Sequence, residues 1–99
     1  MDYELARQLK DGGFPSKYPI VLPTKEYKTH SYPKLEELID ACGSHFSNLI
    51  YGYLSGTFRA YGFSDLTEGR DDEVCSDWCK TPIEAVAKLW LVLNENEKR

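Results

Sequence analysis

The chain has 99 residues, 41% of them hydrophobic and thirteen of them aromatic, which suits one domain with its own core and leaves no room for a second. Sixteen acidic residues stand against twelve Lys and Arg, a net charge of −4, and this balance argues against direct DNA binding, whose footprint is a basic face. The longest apolar run, residues 89–93, is far too short to cross a bilayer, so no membrane partner is expected.

The first residues, Met1-Asp2-Tyr3-Glu4-Leu5, have neither the basic nor the apolar region of a signal peptide. Three cysteines, an odd number, do not read as a secreted disulfide framework. A cytoplasmic, reduced setting is the expectation.

In chain order, Leu5, Ala6 and Leu9 share one helical face over residues 3–10, and Gly12-Gly13 stops that helix. Residues 14–34 hold Pro15, Pro19, Pro23 and Pro33, three tyrosines, and four lysines against Glu26 alone. A stretch this long without helical or strand pattern is either functional or a solvated linker. Ile20-Val21-Leu22 is expected to pair only briefly, kept short by Pro19 and Pro23.

Leu35, Leu38, Ile39 and Cys42 follow the i, i+3, i+4, i+7 spacing of a buried helix face, with Gly43 at the position of a left-handed C′ residue. Residues 46–54 and 57–63 read as an antiparallel hairpin turning at Ser55-Gly56, one face on helices and the other partly wet. Residues 64–77 carry Asp65, Glu68, Asp71, Asp72, Glu73 and Asp77 against Arg70, an exposed acidic loop, with residues 74–80 returning as a third strand.

Thr81-Pro82-Ile83-Glu84 opens the last helix, 81–95: Thr81 caps, Pro82 fits the first helical position and Glu84 stands where a capping box places it. Val86, Leu89, Trp90 and Leu93 form its core stripe. Leu91 and Val92 lie off that stripe and need the N-terminal helix or a second copy of the chain to cover them, which makes them the candidate interface residues.

Four constellations have the residue types for chemistry. Cys42, His45, Cys75 and Cys79 are soft ligands at short spacings, as a tetrahedral zinc site requires. Against this, Cys42 occupies an apolar helix face, where a thiol acts as a small hydrophobe. A Cys42–His45 catalytic pair lacks an orienting third group, and no nucleophile-elbow pattern is present, so no enzyme is expected. Asp71-Asp72-Glu73 lacks the glycine and spaced oxygens of a calcium loop. The tract with Lys17, Tyr18, Lys25, Tyr27, Lys28 and Tyr32 combines aromatic rings with ammonium groups, the ingredients for holding a small nucleotide or for docking on a protein.

The strings at 3–15 (YELARQLKDGGFP), 35–43 (LEELIDACG) and 81–94 (TPIEAVAKLWLVLN) resemble a group of small uncharacterised proteins from bacteria and their phages. In that group the closing Thr-Pro helix is similar to the end of the phage α-β-α sandwich domain. The resemblance implies a compact α/β fold and a mobile-element origin, and its motifs are caps and core faces that carry no catalytic residues.

The expectation is therefore a single α+β domain, residues 1–99, with a small antiparallel sheet packed against two or three helices. It is expected to act without catalysis as a phage or prophage accessory protein binding a host or defence-system component. A small-ligand or nucleotide sponge and a zinc-stabilised module are the alternatives.

Overall fold

The computed structural model describes residues 3–63 and 73–97. In order these form helix α1 (Tyr3–Asp11), helix α2 (Leu35–Cys42), a 3-10 turn (Gly43–His45), strands β1 (Phe46–Gly52), β2 (Thr57–Phe63) and β3 (Glu73–Cys75), and helix α3 (Pro82–Glu97). The architecture is α+β, with one antiparallel sheet in the order β1-β2-β3 and one hydrophobic cluster drawing on all three helices and the sheet. Most of the acidic stretch, residues 64–72, lies outside the described residues.

Helix α1 buries Leu5, Ala6 and Leu9 and ends in a locally encoded stop. Gly13, at φ 87°, donates its N–H to the Lys10 carbonyl at 3.2 Å, and Phe14 donates to the Leu9 carbonyl at 3.1 Å. This is the Schellman pattern, with its usual apolar contact supplied by Phe14 and Leu9, both buried. The Asn94 amide of α3 donates to the Gly12 carbonyl at 3.0 Å and ties the two helices together.

The Pro/Tyr tract is built into the domain rather than left as a solvated linker. Phe14 and Ile20 belong to the core, and Tyr18, Leu22 and Tyr32 pack against it. The brief pairing expected at 20–22 occurs within the tract itself: Val21 and Ser31 exchange two backbone hydrogen bonds of 2.9 Å.

On α2, Leu38 and Cys42 are buried while Leu35 and Ile39 pack against the same cluster. Its first turn is closed by the reciprocal half of a capping box, the Lys34 N–H donating to Glu37 Oε1 at 2.8 Å. Gly43 has the expected positive φ of 60°, but its ψ of −138° is not left-handed helical. The chain turns instead into the 3-10 segment that delivers it to β1.

The hairpin differs from expectation at its tip. Strand β1 ends at Gly52, paired with Thr57, so Tyr53, Leu54, Ser55 and Gly56 make a four-residue loop in place of a Ser55-Gly56 turn. Ser55 and Gly56 both donate to the Gly52 carbonyl, at 3.2 and 2.8 Å, and Gly56 adopts φ 67°. The β-forming character of Tyr53 and Leu54 yields to the turn, since β propensity is weak where there is nothing to pack against.

The third strand lies beside β2 as expected but is interrupted. Phe63, Gly62 and Tyr61 pair with Glu73, Val74 and Cys75, whereas Phe58 pairs with Cys79, one residue out of that register. The extra residue makes a bulge, and Ser76 repairs the ladder across it. The Ala60 N–H donates to Ser76 Oγ at 3.1 Å, and the Ser76 N–H donates to the Ala60 carbonyl at 2.9 Å. Ser76 is 1% exposed. Ser76→Ala is expected to strand a buried donor and lower unfolding free energy by about 1–3 kcal/mol. Urea unfolding reads that loss, and hydrogen exchange should quicken at the Ala60 amide.

Thr81 opens α3 as expected, accepting the Glu84 N–H on Oγ1 at 3.2 Å. Thr81→Ala should cost about 1 kcal/mol in the same unfolding assay. Helix α3 packs on all three strands and also on α1 and α2, which explains why it is apolar on more than one side. Val86, Leu89, Trp90 and Leu93 are buried, with Ala85 and Ala87 allowing close approach. Because Phe58, Ala60, Leu49 and Val74 belong to the same cluster as the helices, the helices share one face of the sheet. Among the described residues the opposite face carries no helix.

Candidate functional site

The register of the sheet decides what the open face displays. Ile50 lies opposite Arg59, Asn48 opposite Tyr61 and Gly52 opposite Thr57, and Tyr61 lies opposite Cys75. These residues alternate with the core set and therefore point away from the helices. The bulge at Ser76 brings Trp78 onto this face. Its ring occupies the space above Gly52, where a Cβ would meet the indole at 3.1 Å, so a larger residue would press on the ring.

Arg59 also contacts the ring. Its guanidinium carbon lies 5.1 Å from the Trp78 ring centroid, within cation–π range, and its Nε donates to the Ser76 carbonyl at 2.9 Å. Trp78 remains 44% exposed, and the hairpin tip beside Gly52 projects Tyr53 and Leu54, 78% and 90% exposed. Ile50 and Tyr51 on the edge strand are exposed as well. Most of the large exposed hydrophobic side chains of the described residues thus gather at one end of the sheet. A rigid indole backed by arginine, with tyrosine and leucine beside it, has the composition of a protein-contact hot spot.

The tract residues proposed for binding are distributed over three places. Lys17 forms an ion pair with Asp40 at 3.1 Å, and the Tyr18 hydroxyl donates to the same carboxylate, fastening the tract to α2. Lys25, Tyr27 and Lys28 sit at the exposed outer turn closed by Thr24. Tyr32 lies 4.7 Å from the His30 ring, beside a cavity of about 470 Å³ that His30, Tyr32, Lys34 and Ile83 help to line. Charge and aromaticity meet locally along this tract, Lys17 Nζ lying 5.1 Å from the Tyr18 ring centroid and Lys34 sharing a cavity wall with Tyr32, but the fold does not gather the six residues into one site.

The Tyr18 hydroxyl, and after it Lys17, hold the Asp40 carboxyl below its ordinary range. A lowered carboxylate pKa stabilises the fold fully above the unfolded value, and the contribution is lost as pH falls through the lowered folded value. Asp40→Asn should therefore be less stable than the parent chain at neutral pH. The gap should close on acidification below the ordinary aspartate value of about 3.9, read as urea midpoints against pH.

The four soft ligands are not assembled. Among the described residues, which include Cys42, His45, Cys75 and Cys79, no three His, Cys, Asp or Glu side chains form a group able to hold a metal ion. Cys42 and His45 do share the wall of a cavity of about 260 Å³ with Trp90 and Asn94. Burial pushes the Cys42 thiol up to about 12, so it stays protonated, and His45 Nδ1 donates to the Phe63 carbonyl at 2.6 Å. Cys75 faces away from the helices, while Cys79 is buried with its pKa raised by burial and its thiol donating to the Asp77 carbonyl at 3.2 Å.

Leu91 and Val92 are half-buried on α3, and Leu91 packs against the core cluster. The exposed apolar surface is at the sheet instead, on Ile50, Tyr53, Leu54 and Trp78, none of which the sequence singled out. Alternation in the second strand puts Thr57, Arg59 and Tyr61 on one face and Phe58, Ala60 and Gly62 on the other, and the structure shows that the first set faces away from the helices. No local signal placed Trp78 beside them. Comparison with family models, curated proteins and solved structures finds no match for this chain. Among the described residues no helix is long and apolar enough to cross a membrane.

Proposed function

We propose that this chain is a non-enzymatic protein-binding module whose contact surface is the open face of the sheet together with the hairpin tip. The observation that carries the reading is Trp78, seated on Gly52 and braced by Arg59 while nearly half exposed. Holding a large ring in place before contact lowers the ordering cost of association. The reading gains support from the thiols, which burial keeps protonated at Cys42 and Cys79 and so away from nucleophilic use. A host or defence-system component of bacterial cells is the partner class to search first. That choice rests on the sequence resemblance to bacterial and phage proteins.

The test is affinity capture from bacterial lysate with the parent chain and with a Trp78→Ala, Leu54→Glu variant shown to be folded by circular dichroism. A stoichiometric partner that the parent retains and the variant loses supports the reading. Recovery of no partner, or equal recovery by both, overturns it.

A second reading, binding of a small nucleotide, is favoured by the cavity of about 470 Å³ beside the His30–Tyr32 ring pair and Lys34, a volume within the usual range for ligand sites. A nucleotide that binds there raises the melting temperature by mass action. An unchanged melting temperature across a nucleotide panel removes this reading.

A further inference from the structure

The geometry points to β1 as a self-pairing edge, through which two copies of this chain join antiparallel about a two-fold axis at Ile50 into one six-stranded sheet. Strand β1 is the edge of the sheet, and its seven residues, FSNLIYG, contain no charge and no proline. Natural edge strands are usually protected against pairing by lysine, proline or a charge pointing inward. Here a register shift between Phe46 and Asn48 disturbs only the first residues. The stretch from Asn48 to Gly52 is regular, and among the described residues no backbone group pairs with its outer side.

The direction of the backbone groups sets the register. Phe58 exchanges both its hydrogen bonds with Cys79, and Ala60 turns toward Ser76, so the intervening Arg59 turns toward β1. Its partner Ile50 accordingly points its N–H and carbonyl inward to β2, and Leu49 and Tyr51 point theirs outward. Neither outward pair has a backbone partner among the described residues. A two-fold at Ile50 sets Leu49 opposite Tyr51 of the second copy and Tyr51 opposite its Leu49. All the outward groups of those residues are then used reciprocally, in the alternation an antiparallel ladder demands. The two Ile50 side chains meet in a non-hydrogen-bonded pair, where side chains come closest.

Symmetry fits a second copy as the occupant, because the outward groups of Leu49 and Tyr51 serve both strands reciprocally, and the uncharged edge adds no local repulsion. The chain carries a net −4, so two copies repel over most approaches, whereas β1 against β1 opposes no like charges. Ile50 is 38% exposed and Tyr51 54%, and Tyr53 continues past the strand toward the Ser47 end of the other copy, so pairing covers three apolar side chains on each side. The axis stands perpendicular to the sheet, so the helices of both copies share one face. The two open faces merge, placing both Trp78 rings on a single surface. This pairing is made by the backbone edge and covers Ile50 and Tyr53 of the contact surface proposed above while leaving Trp78 and Leu54 exposed, so chain mass and crosslinking test it separately from partner capture.

Sedimentation equilibrium of the parent chain is expected to give twice the 11.4 kDa chain mass, and Ile50→Lys should return it to a monomer with an unchanged circular dichroism spectrum. Ile50→Cys in a Cys75→Ser background tests the register and still serves if the lysine variant fails to fold. Mild oxidation should link the thiol introduced at position 50 to its symmetry mate, since the Cβ atoms of such a pair lie about 4.5–5.5 Å apart. Asn48→Cys in the same background should stay unlinked, its mate being four residues away in register. A parent chain that is monomeric at every concentration up to the millimolar range overturns the proposal. So does a dimer that survives Ile50→Lys, or one in which the Ile50→Cys thiols do not crosslink.

Discussion

Trp90→Ala is expected to lower unfolding free energy by about 3–5 kcal/mol, the range for truncating a buried aromatic. Trp90 is 8% exposed and meets Phe14 edge-on, with ring centroids 5.1 Å apart and planes at 65°. Its ring also lies 3.3 Å from the position a Cβ would take on Gly12, so one side chain joins α3 to the end of α1 and the start of the Pro/Tyr tract. It already borders the cavity of about 260 Å³, and truncation would enlarge a space that Cys42 and Leu93 cannot refill. Against a typical total stability of about 5–15 kcal/mol, the loss is a large share. Urea unfolding measures it. Trp78→Ala is the matched control, because that ring is half exposed and off the core. Trp78→Ala gives up its cation–π contact with Arg59, about 0.5–1 kcal/mol at an exposed site, so it should cost much less stability than Trp90→Ala while removing partner binding.

The contrast between the two tryptophans also shows what the sequence makes legible. Trp90 sits on a helix whose start is announced by Thr81-Pro82 and whose apolar spacing repeats with the helical turn, so its burial follows from neighbours within a few residues. The same holds for Leu35, Leu38, Ile39 and Cys42 on α2 and for the Schellman stop after α1, where the bonds run from Gly13 to Lys10 and from Phe14 to Leu9. The tract at 14–34 is different. Its prolines and lysines look like linker, and the burial of Phe14 and Ile20 depends on helices far away in the chain. Trp78 reaches the open face only because Ser76 absorbs one extra residue and restores the ladder to Ala60, a register event that composition does not carry. The spacing of the cysteines is uninformative for a related reason. Cys42 and Cys79 serve the core, whereas Cys75 lies across from Tyr61 on the open face, and sequence distance does not measure convergence.

Between the core and the open face, the strand β2 acts as the divider. Phe58, Ala60 and Gly62 face the helices, and Arg59 and Tyr61 face out. The proposed contact surface is therefore rigid to the extent that the core beneath it is well packed. Changes at the two faces should separate experimentally into effects on stability and effects on binding.

Gly62→Ala is the change at which the two faces cease to be separable, and it is expected to destabilise the chain by at least the roughly 1–3 kcal/mol typical of overpacking. A Cβ on Gly62 would stand 2.5 Å from the His45 carbonyl oxygen and 3.4 Å from Leu89 Cδ2. The first contact is with backbone, so no rotamer change relieves it. His45 closes the 3-10 turn that leads from α2 into β1, and its ring is anchored to the Phe63 carbonyl at 2.6 Å. The turn is thus gripped at the ring and pressed at the backbone by adjacent residues of β2. To admit a methyl group, either the turn must withdraw and drag the start of β1 with it, or β2 must tilt away from Leu89 and open the core. The first path disturbs the pairing of Phe46 with Gly62, and the second exposes Leu89, which is fully buried. Hydrogen exchange tells them apart. Faster exchange confined to the amides of Phe46 and Ser47 marks withdrawal of the turn, whereas faster exchange along the whole of α3 marks an opened core. A Gly62→Ala chain with the parent's urea midpoint would show that the sheet does not need this close approach.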